Sequence, residues 1–443
     1  MSERTTNGDG SGTAGERLGR RTIFALGWVS FFMDVSSEMI YPLLPVFLSS
    51  LGAGTVAIGF VAGLSEGTAS LFRVISGVIS DRFRKRKSAI LLGYGLSVLA
   101  RPILALSAAW GHVLAFRLVD RAGKGIRTPP RDALIAEASP PDRYGRSFGI
   151  QRAMDTAGAV IGPLLATAIL AGGLGYRSLF WIAMIPAAAA VATIHVFVRE
   201  HAGRRAAAAG PALPPEGAVP AGRSADGALE GGAARTPLSR EMKLYLAVTA
   251  IFYLGNSSSF FLILRAKEII TEARSPWFTV SLIPILYLTM NLSSALLSYP
   301  AGKLADRAGK DRIAFLGYFL FAAAYAAFAL AGSAAALWLL FPLQGVYLGF
   351  TEGVGTAYLA TIVPQERRAT GFALYHTVIG LALLPAGLLG GWLWRRFSPE
   401  ATFLAGSAFA LAAGALFGAF LLRRRPAARR PADGGTHGIE TRR

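Results

Sequence analysis

The stretch Gly77-Val-Ile-Ser-Asp81-Arg82-Phe-Arg-Lys85-Arg86 returns as Gly302-Lys-Leu-Ala-Asp306-Arg307-Ala-Gly309-Lys310-Asp311, with Asp81 and Asp306 225 residues apart. A second pair, Pro140-Pro-Asp-Arg143-Tyr-Gly-Arg-Ser-Phe148 and Pro364-Gln-Glu-Arg367-Arg-Ala-Thr-Gly-Phe372, repeats at a spacing of 224 between its arginines. Two separate landmarks at one spacing mean that half of the chain copies the other half. Each copy lies between long apolar runs, so the duplicated unit is a bundle of membrane helices. Parallel repeats of this kind build secondary transporters with a substrate site between the halves. The expected fold is therefore all-α, with twelve transmembrane helices in two pseudo-symmetric six-helix bundles.

Composition agrees with lipid as the solvent. The chain is 53% hydrophobic and 16% charged, with a mean hydropathy of +0.45, too apolar for a soluble chain of 443 residues. The net charge of +19 would fit nucleic-acid binding if it formed one stripe. It falls instead in short segments between apolar runs, which excludes that partner. With no cysteine, disulfides, thiol catalysis and cysteine metal sites are excluded as well. The first twenty residues hold no apolar signal region, so the first span is expected to act as its own targeting signal.

About 20 apolar residues cross a bilayer core. By that ruler the spans fall near 22–50, 55–80, 88–109, 112–137, 147–171 and 177–198, then 243–270, 276–301, 312–332, 334–361, 369–394 and 400–422. The implied organisation is a disordered tail at 1–21, a first bundle at 22–198, a disordered Ala/Gly/Pro/Arg-rich linker at 199–240, a second bundle at 241–422 and a disordered tail at 423–443. If spans alternate, Arg20-Arg21, the Arg82–Lys87 run, Arg143, the linker, Lys303–Arg312, Arg367-Arg368 and the tail share one side. The positive-inside rule makes that side the cytoplasm, with both termini there and the protein in the cytoplasmic membrane. Arg395-Arg396 is the main exception to this pattern. Prolines interrupt several spans, and small-residue stripes such as Gly59/Gly63/Gly67, Gly158/Gly162 and Gly345/Gly349/Gly353 allow close helix contact.

These residues resemble the signatures of the major facilitator superfamily. Gly77, Asp81, Arg82, Lys85 and Arg86 match its loop motif after the second helix, with Arg84 where a glycine is usual. The copy Gly302, Asp306, Arg307, Gly309 and Lys310 departs only at Asp311. Gly158-x3-Gly162-Pro163 is similar to the family's antiporter motif without its following glycine pair, and Arg117-x3-Arg121-x3-Gly125 resembles its fourth-helix motif with Arg121 in place of glycine. The resemblance implies alternating-access transport, with the loop motifs as a conformational latch. Physically, an Asp beyond a helix end can complement the positive terminus of a facing helix while its basic neighbours pair across the half. The plainer reading is ordinary topology charge.

Carboxylates inside a bilayer are costly and point to function. Asp34 and Glu38 stand at i and i+4 on one face of the first span, Glu66 in the second, Asp155 in the fifth and Glu352 in the tenth. Burial disfavours the ionised form of a carboxyl, so such groups can carry protons. Proton coupling is the expectation for Asp34 and Glu38, with Arg117 as their partner; for Glu66 and Asp155 it stands level with fixed pairing to Arg73, Arg101 or Arg117.

The fourth span sets Arg117, Asp120, Arg121, Lys124, Arg127, Arg131 and Asp132 within an arc of roughly 140°, although Pro129-Pro130 is expected to interrupt that helix. Such a face must line a cavity or meet carboxylates, and Arg121 and Lys124 are its candidates for binding an anionic or zwitterionic substrate. The second half offers Asn256, Tyr287, Asn291, Gln344, Tyr347, Glu352 and Tyr375 as further pocket residues; His376 is expected to make an interhelical hydrogen bond.

No phosphate-binding loop of a pump is present, and five scattered histidines give no catalytic or metal constellation. Neither an enzyme, a cofactor nor a metal is expected. The functional expectation is proton-coupled efflux (antiport) of an organic anion, zwitterion or drug-like compound by a monomer in the lipid bilayer. Proton-coupled import of a small metabolite and a non-transporting receptor are the alternatives.

Overall fold

A computed structural model describes residues 9–83, 86–139, 144–198, 239–273, 279–363 and 368–423, with backbone alone at 9–18, 77–83, 144–146, 352–353, 368–370 and 373. Fourteen α-helices are described: α1 Asp9–Ile40, α2 Leu44–Ser50, α3 Thr55–Phe83, α4 Arg86–Ala105, α5 Trp110–Ala138, α6 Tyr144–Ala171 and α7 Tyr176–Phe197 in the first half, then α8 Arg240–Gly255, α9 Ser259–Ala273, α10 Ile283–Ala308, α11 Lys310–Ala329, α12 Ala334–Ile362, α13 Arg368–Arg396 and α14 Pro399–Arg423. They form twelve spans, because α1–α2 and α8–α9 are each one span interrupted within its length.

The two breaks have local causes. Pro42 and Pro45 remove backbone donors and leave a 3-10 turn at Tyr41–Leu43. In the other half, Gly255-Asn256-Ser257-Ser258 replaces the helix with local bonds, among them Ser257 N to Gly255 O at 3.0 Å. Both interruptions fall in the first span of their repeat, about ten residues out of register at the repeat offset, and interrupted membrane helices are where transporters build binding sites.

Packing repeats as the sequence does. In the first half α1 packs on α6 and α7, α3 on α5, and α4 on α5 and α7; in the second, α8 packs on α13 and α14, α10 on α12, and α11 on α12 and α14. The halves meet through two equivalent pairs, α3 with α13 and α6 with α10. Gly59, Gly63 and Gly67 face Gly387, Leu383 and Gly380 along the α3–α13 seam.

On the side away from the chain termini the halves are closed. There α2 packs on α9, Lys267 Nζ donates to Ser49 Oγ at 2.9 Å, and Thr55 Oγ1 donates to Gly391 O at 2.9 Å. Tyr41 touches Phe260 and Tyr287 of the second half, with ring centroids 5.3 and 5.4 Å apart.

Among the described residues, eleven spans are long and apolar enough to cross a membrane by composition alone. The twelfth is α5, whose mid-section carries Arg117, Asp120, Arg121, Lys124 and Arg127. The expected interruption of that helix does not occur: α5 runs unbroken through Pro129 and Pro130. Pro130 cannot donate to Ile126 O, and Ser76 Oγ of α3 takes the vacant carbonyl at 2.5 Å, so a neighbouring hydroxyl restores what proline removes.

A second difference lies at the start of the chain. Helix α1 begins at Asp9, so residues 9–21, expected as a tail, are helical; no proline stands before Pro42 to stop the span's helix extending past its apolar core. The expected linker lies outside the described residues from 199 to 238. Ser239 then caps α8, its Oγ accepting from Met242 N at 3.1 Å.

Candidate functional site

Two missing side chains bring the first-span carboxylates inward. A Cβ on Gly158 of α6 would stand 2.6 Å from Phe31 O and 3.0 Å from Asp34 Cβ, and one on Gly162 would stand 2.7 Å from Val35 O and 2.9 Å from Glu38 Cβ. The glycine pair with the antiporter-like spacing is thus the surface on which Asp34 and Glu38 rest, with Pro163 following inside the same helix. Asp34 has Asp155, Lys124, Glu38 and Arg131 as its charged neighbours. Asp155 Oδ2 accepts from Gln151 Nε2 at 2.5 Å, and its Oδ1 is buried without a partner, as is Glu38 Oε2.

Across from α1 stands the charged face of α5. Arg117 Nη2 and Arg121 Nη1 share one oxygen, Glu66 Oε1 of α3, at 3.5 and 3.6 Å. Tyr41 in the 3-10 turn lies over both guanidinium groups, its ring centroid 5.4 Å from Arg117 Cζ and 5.9 Å from Arg121 Cζ; Arg117 also faces Phe260 at 5.6 Å. Asp34, Glu38, Tyr41, Arg101, Arg117, Asp120, Arg121, Lys124 and Arg127 line a cavity of about 40 Å3, room for a few ordered waters.

On one wall of this cavity Arg101 and Arg127 are held by neutral partners. Arg101 of α4 is 1% exposed; its Nε donates to Ser36 Oγ at 2.7 Å, its Nη1 to Ser97 O, and its Nη2 lies 3.4 Å from Met33 Sδ. Arg127 Nη1 donates to Ser97 Oγ at 2.5 Å and stacks over Tyr94 at 4.5 Å. Asp120, with Arg121, Arg101, Arg127 and Arg117 around it, supplies their shared negative charge. Arg131 pairs with its neighbour Asp132 at 2.9 Å and reaches Ser30 Oγ at 3.3 Å, so it closes the cationic face on itself.

The expected pocket residues of the second half do not converge. Tyr287 is at the site against Tyr41, with Asn291 hydrogen-bonded to it. Tyr347 instead sits among Phe252 and Phe321, and Tyr375 stacks on Tyr245 at 5.8 Å; both belong to the second half's aromatic core. Asn256 lies at the α8–α9 break, its Oδ1 3.5 Å from Tyr325 OH. Gln344 is buried with Oε1 unpartnered, and His376 lies edge-on to Tyr375 at 5.4 Å. The side chain of Glu352 lies outside the described residues.

So do those of Gly77, Asp81, Arg82 and Lys85. Of the remaining expected latch residues, Arg86 pairs with Glu137 of α5 at 2.6 Å, and Asp306 pairs with Lys310 one turn on at 3.8 Å. Gly309 has φ +104° at the α10–α11 corner, a conformation that side-chain-bearing residues rarely take; Gly302 and Arg307 precede it on the last turns of α10.

The site residues that the sequence did not single out are Tyr41, Ser36, Gln151 and Phe260. Only Tyr41 carried a signal, standing beside Pro42 in the first span.

This geometry of duplicated six-helix bundles with an intramembrane charge cluster can be compared with known proteins. The profile of the Major Facilitator Superfamily matches residues 26–266 and 245–440. The chain belongs to this superfamily. An MFS-type transporter of Methanocaldococcus jannaschii is 37% identical over 398 residues, covering 89% of this chain and 94% of that one. A multi-drug resistance efflux pump of Streptococcus pneumoniae is 24% identical over 391 residues, 85% and 90% of the two chains. The crystal structure of a nucleoside transporter has the same fold, with a TM-score of 0.68, 15% identity and coverage of 90% of this chain and 99% of that one. The superfamily member described here is accordingly a multi-pass membrane transporter and not an enzyme.

Proposed function

We propose that this transporter is a secondary active carrier that exports an organic anion, zwitterion or drug-like compound in exchange for protons, by alternating access. The observation that carries the reading is the charged cavity lined by α1, α4 and α5 and by Tyr41 of the first-span break. Asp34 and Glu38, with Asp155, are the proton-carrying carboxylates in this reading, because they are buried, clustered and incompletely hydrogen-bonded. Arg117 and Arg121 present the anion-binding donors, and Glu66 is their resting counter-charge. The efflux pump among the relatives supports the outward direction.

The basic segments on the termini side favour a cytoplasmic location for both termini. With that orientation the side closed by Tyr41, Lys267 and Ser49 faces outward, and the cavity is reached from the cytoplasm. The protein acts as a monomer in the cytoplasmic membrane. A reporter fused after Arg423 that reads external would overturn the orientation.

The functional test is flux in proteoliposomes with an imposed pH gradient. Internal pH is followed by a trapped dye while a panel of organic anions, cations and zwitterions is added. Solute-dependent proton movement that is lost in Asp34→Asn supports coupling through Asp34, since an amide keeps the shape but cannot load and release a proton as a carboxyl does. Normal proton movement in that variant removes Asp34 from the role.

A further inference from the structure

Glu66 meets its two cationic partners unusually loosely. Charge-assisted N–H···O bonds to carboxylates lie near ~2.7–2.9 Å, yet Glu66 Oε1 stands 3.5 and 3.6 Å from Arg117 and Arg121. The Nε atoms of both arginines are buried without a hydrogen-bond partner, so donors on each guanidinium are left unspent in an interior where unpaired donors are costly. The two arginines are one helical turn apart and open onto the same point.

Exposure decides which side is the plug and which is the socket. The side chains of Arg117 and Arg121 are 3% and 11% exposed, while that of Glu66 is 38% exposed. A solute therefore comes upon the carboxylate before it comes upon the guanidinium pair. The cavity behind the pair has room for only a few waters, so an anion larger than water reaches these donors by taking the carboxylate's position.

We propose that Glu66 is an internal stand-in for the substrate: its carboxylate holds the Arg117–Arg121 site until an organic anion with a planar apolar body displaces it. The proposal rests on the transport site described above and names its substrate class. A sulfonate or carboxylate group engages Nε and Nη of a guanidinium side by side, which a single shared oxygen does not. The planar body is specified by Tyr41, whose ring covers both guanidinium groups and touches Phe260 and Tyr287 of the opposite half. An anion stacked there would contact both halves at once.

Displacement also links the site to protons. Around Glu66 stand Arg117, Arg121 and Lys124 from α5, Arg73 from its own helix, and Tyr41 from the broken span; His376 of α13 faces Arg73. While Glu66 stays among these cations it remains ionised. Once the anion replaces it, Glu66 is left without its partners and takes up a proton, so the anion carries one proton with it at this position, separate from the protons exchanged through Asp34 and Glu38. Lowering the pH frees the arginines by the same route and should strengthen anion binding.

The test uses benzenesulfonate, which stays ionised at every working pH, with neutral benzenesulfonamide as the control, titrated calorimetrically into the purified full chain. Glu66→Gln should bind the sulfonate about tenfold or more tighter than the wild type near neutral pH. The wild type should gain affinity as pH falls, and Glu66→Gln should lose that dependence. Adding Arg121→Lys to Glu66→Gln should weaken the sulfonate again, while the sulfonamide should be indifferent to all three proteins. Equal or weaker binding by Glu66→Gln, an unchanged pH dependence in it, or no sulfonate binding by either protein would overturn the proposal. The expected binding pattern without solute-driven proton flux would instead remove the transport reading and leave the stand-in site standing.

Discussion

At the repeat offset of 225 residues, Arg117, Asp120 and Lys124 of α5 correspond to Pro342, Gly345 and Gly349 of α12. The same helix in the same packing position therefore carries charge in one half and close contact in the other. Gly345 lets α12 lie on Met290 and Ser293 of α10, and Gly349 lets it lie on Ser294 and Leu297. Around them the second half is braced by rings: Tyr325 stacks on Phe321 at 3.9 Å and donates from its hydroxyl to Ser257 O at 2.6 Å, and Tyr245 donates to Gly355 O at 3.0 Å. The first half holds cations and acids around a cavity. The difference teaches that duplication preserved the frame, while chemistry is concentrated in one copy. The second copy offers a firm surface for the first to work against.

Substitutions can break this division of labour in order of expected effect. Asp34→Asn should abolish proton-driven flux in the proteoliposome assay, a loss of roughly a hundredfold or more for a general acid–base group, with the folded yield unchanged. Gly158→Ala and Gly349→Ala form a matched pair, since each adds a methyl within 3 Å of a facing backbone oxygen, Phe31 O and Ser294 O. Both should cost about 1–3 kcal/mol of stability, read as a lower thermal midpoint in detergent. Only Gly158→Ala should also shift the pH dependence of flux, because only its neighbour is a carboxylate. If Gly349→Ala shifts it equally, the second half is not the inert frame we describe.

Tyr325→Phe should cost about 1 kcal/mol, the net worth of one hydrogen bond, and leave transport rates unaltered. A change in transport larger than the change in stability would show that the α8–α9 break is part of the chemistry. Asp306→Asn is expected to do least to stability, within about 0.5 kcal/mol, because its pair with Lys310 is exposed.

Much of this was legible in the sequence for a physical reason. A twelve-span duplication writes itself as apolar runs and repeated basic corners, and a charged face on a membrane helix is too expensive to be incidental. Asp34 and Glu38 were visible as i, i+4 acids in an apolar run. What they rest on was not, since the approach of Gly158 and Gly162 is a property of two helices far apart in sequence. Sequence alone suggests Tyr347 and Tyr375 as pocket residues because an aromatic ring with a hydroxyl suits a pocket and a core equally well; only the facing rings of Phe252, Phe321 and Tyr245 decide between them. The double proline of α5 misled because its remedy, Ser76, belongs to another helix.

The α3–α13 seam has a mechanical consequence. Gly59, Gly63 and Gly67 recur every four residues, and they meet a strip that includes Gly380, Gly387 and Gly391. Where Gly59 meets Gly387 and Gly67 meets Gly380, backbone faces backbone, so the joint works as a smooth bearing more than as a gear. Such a contact lets the two halves tilt against each other without first separating interlocked side chains.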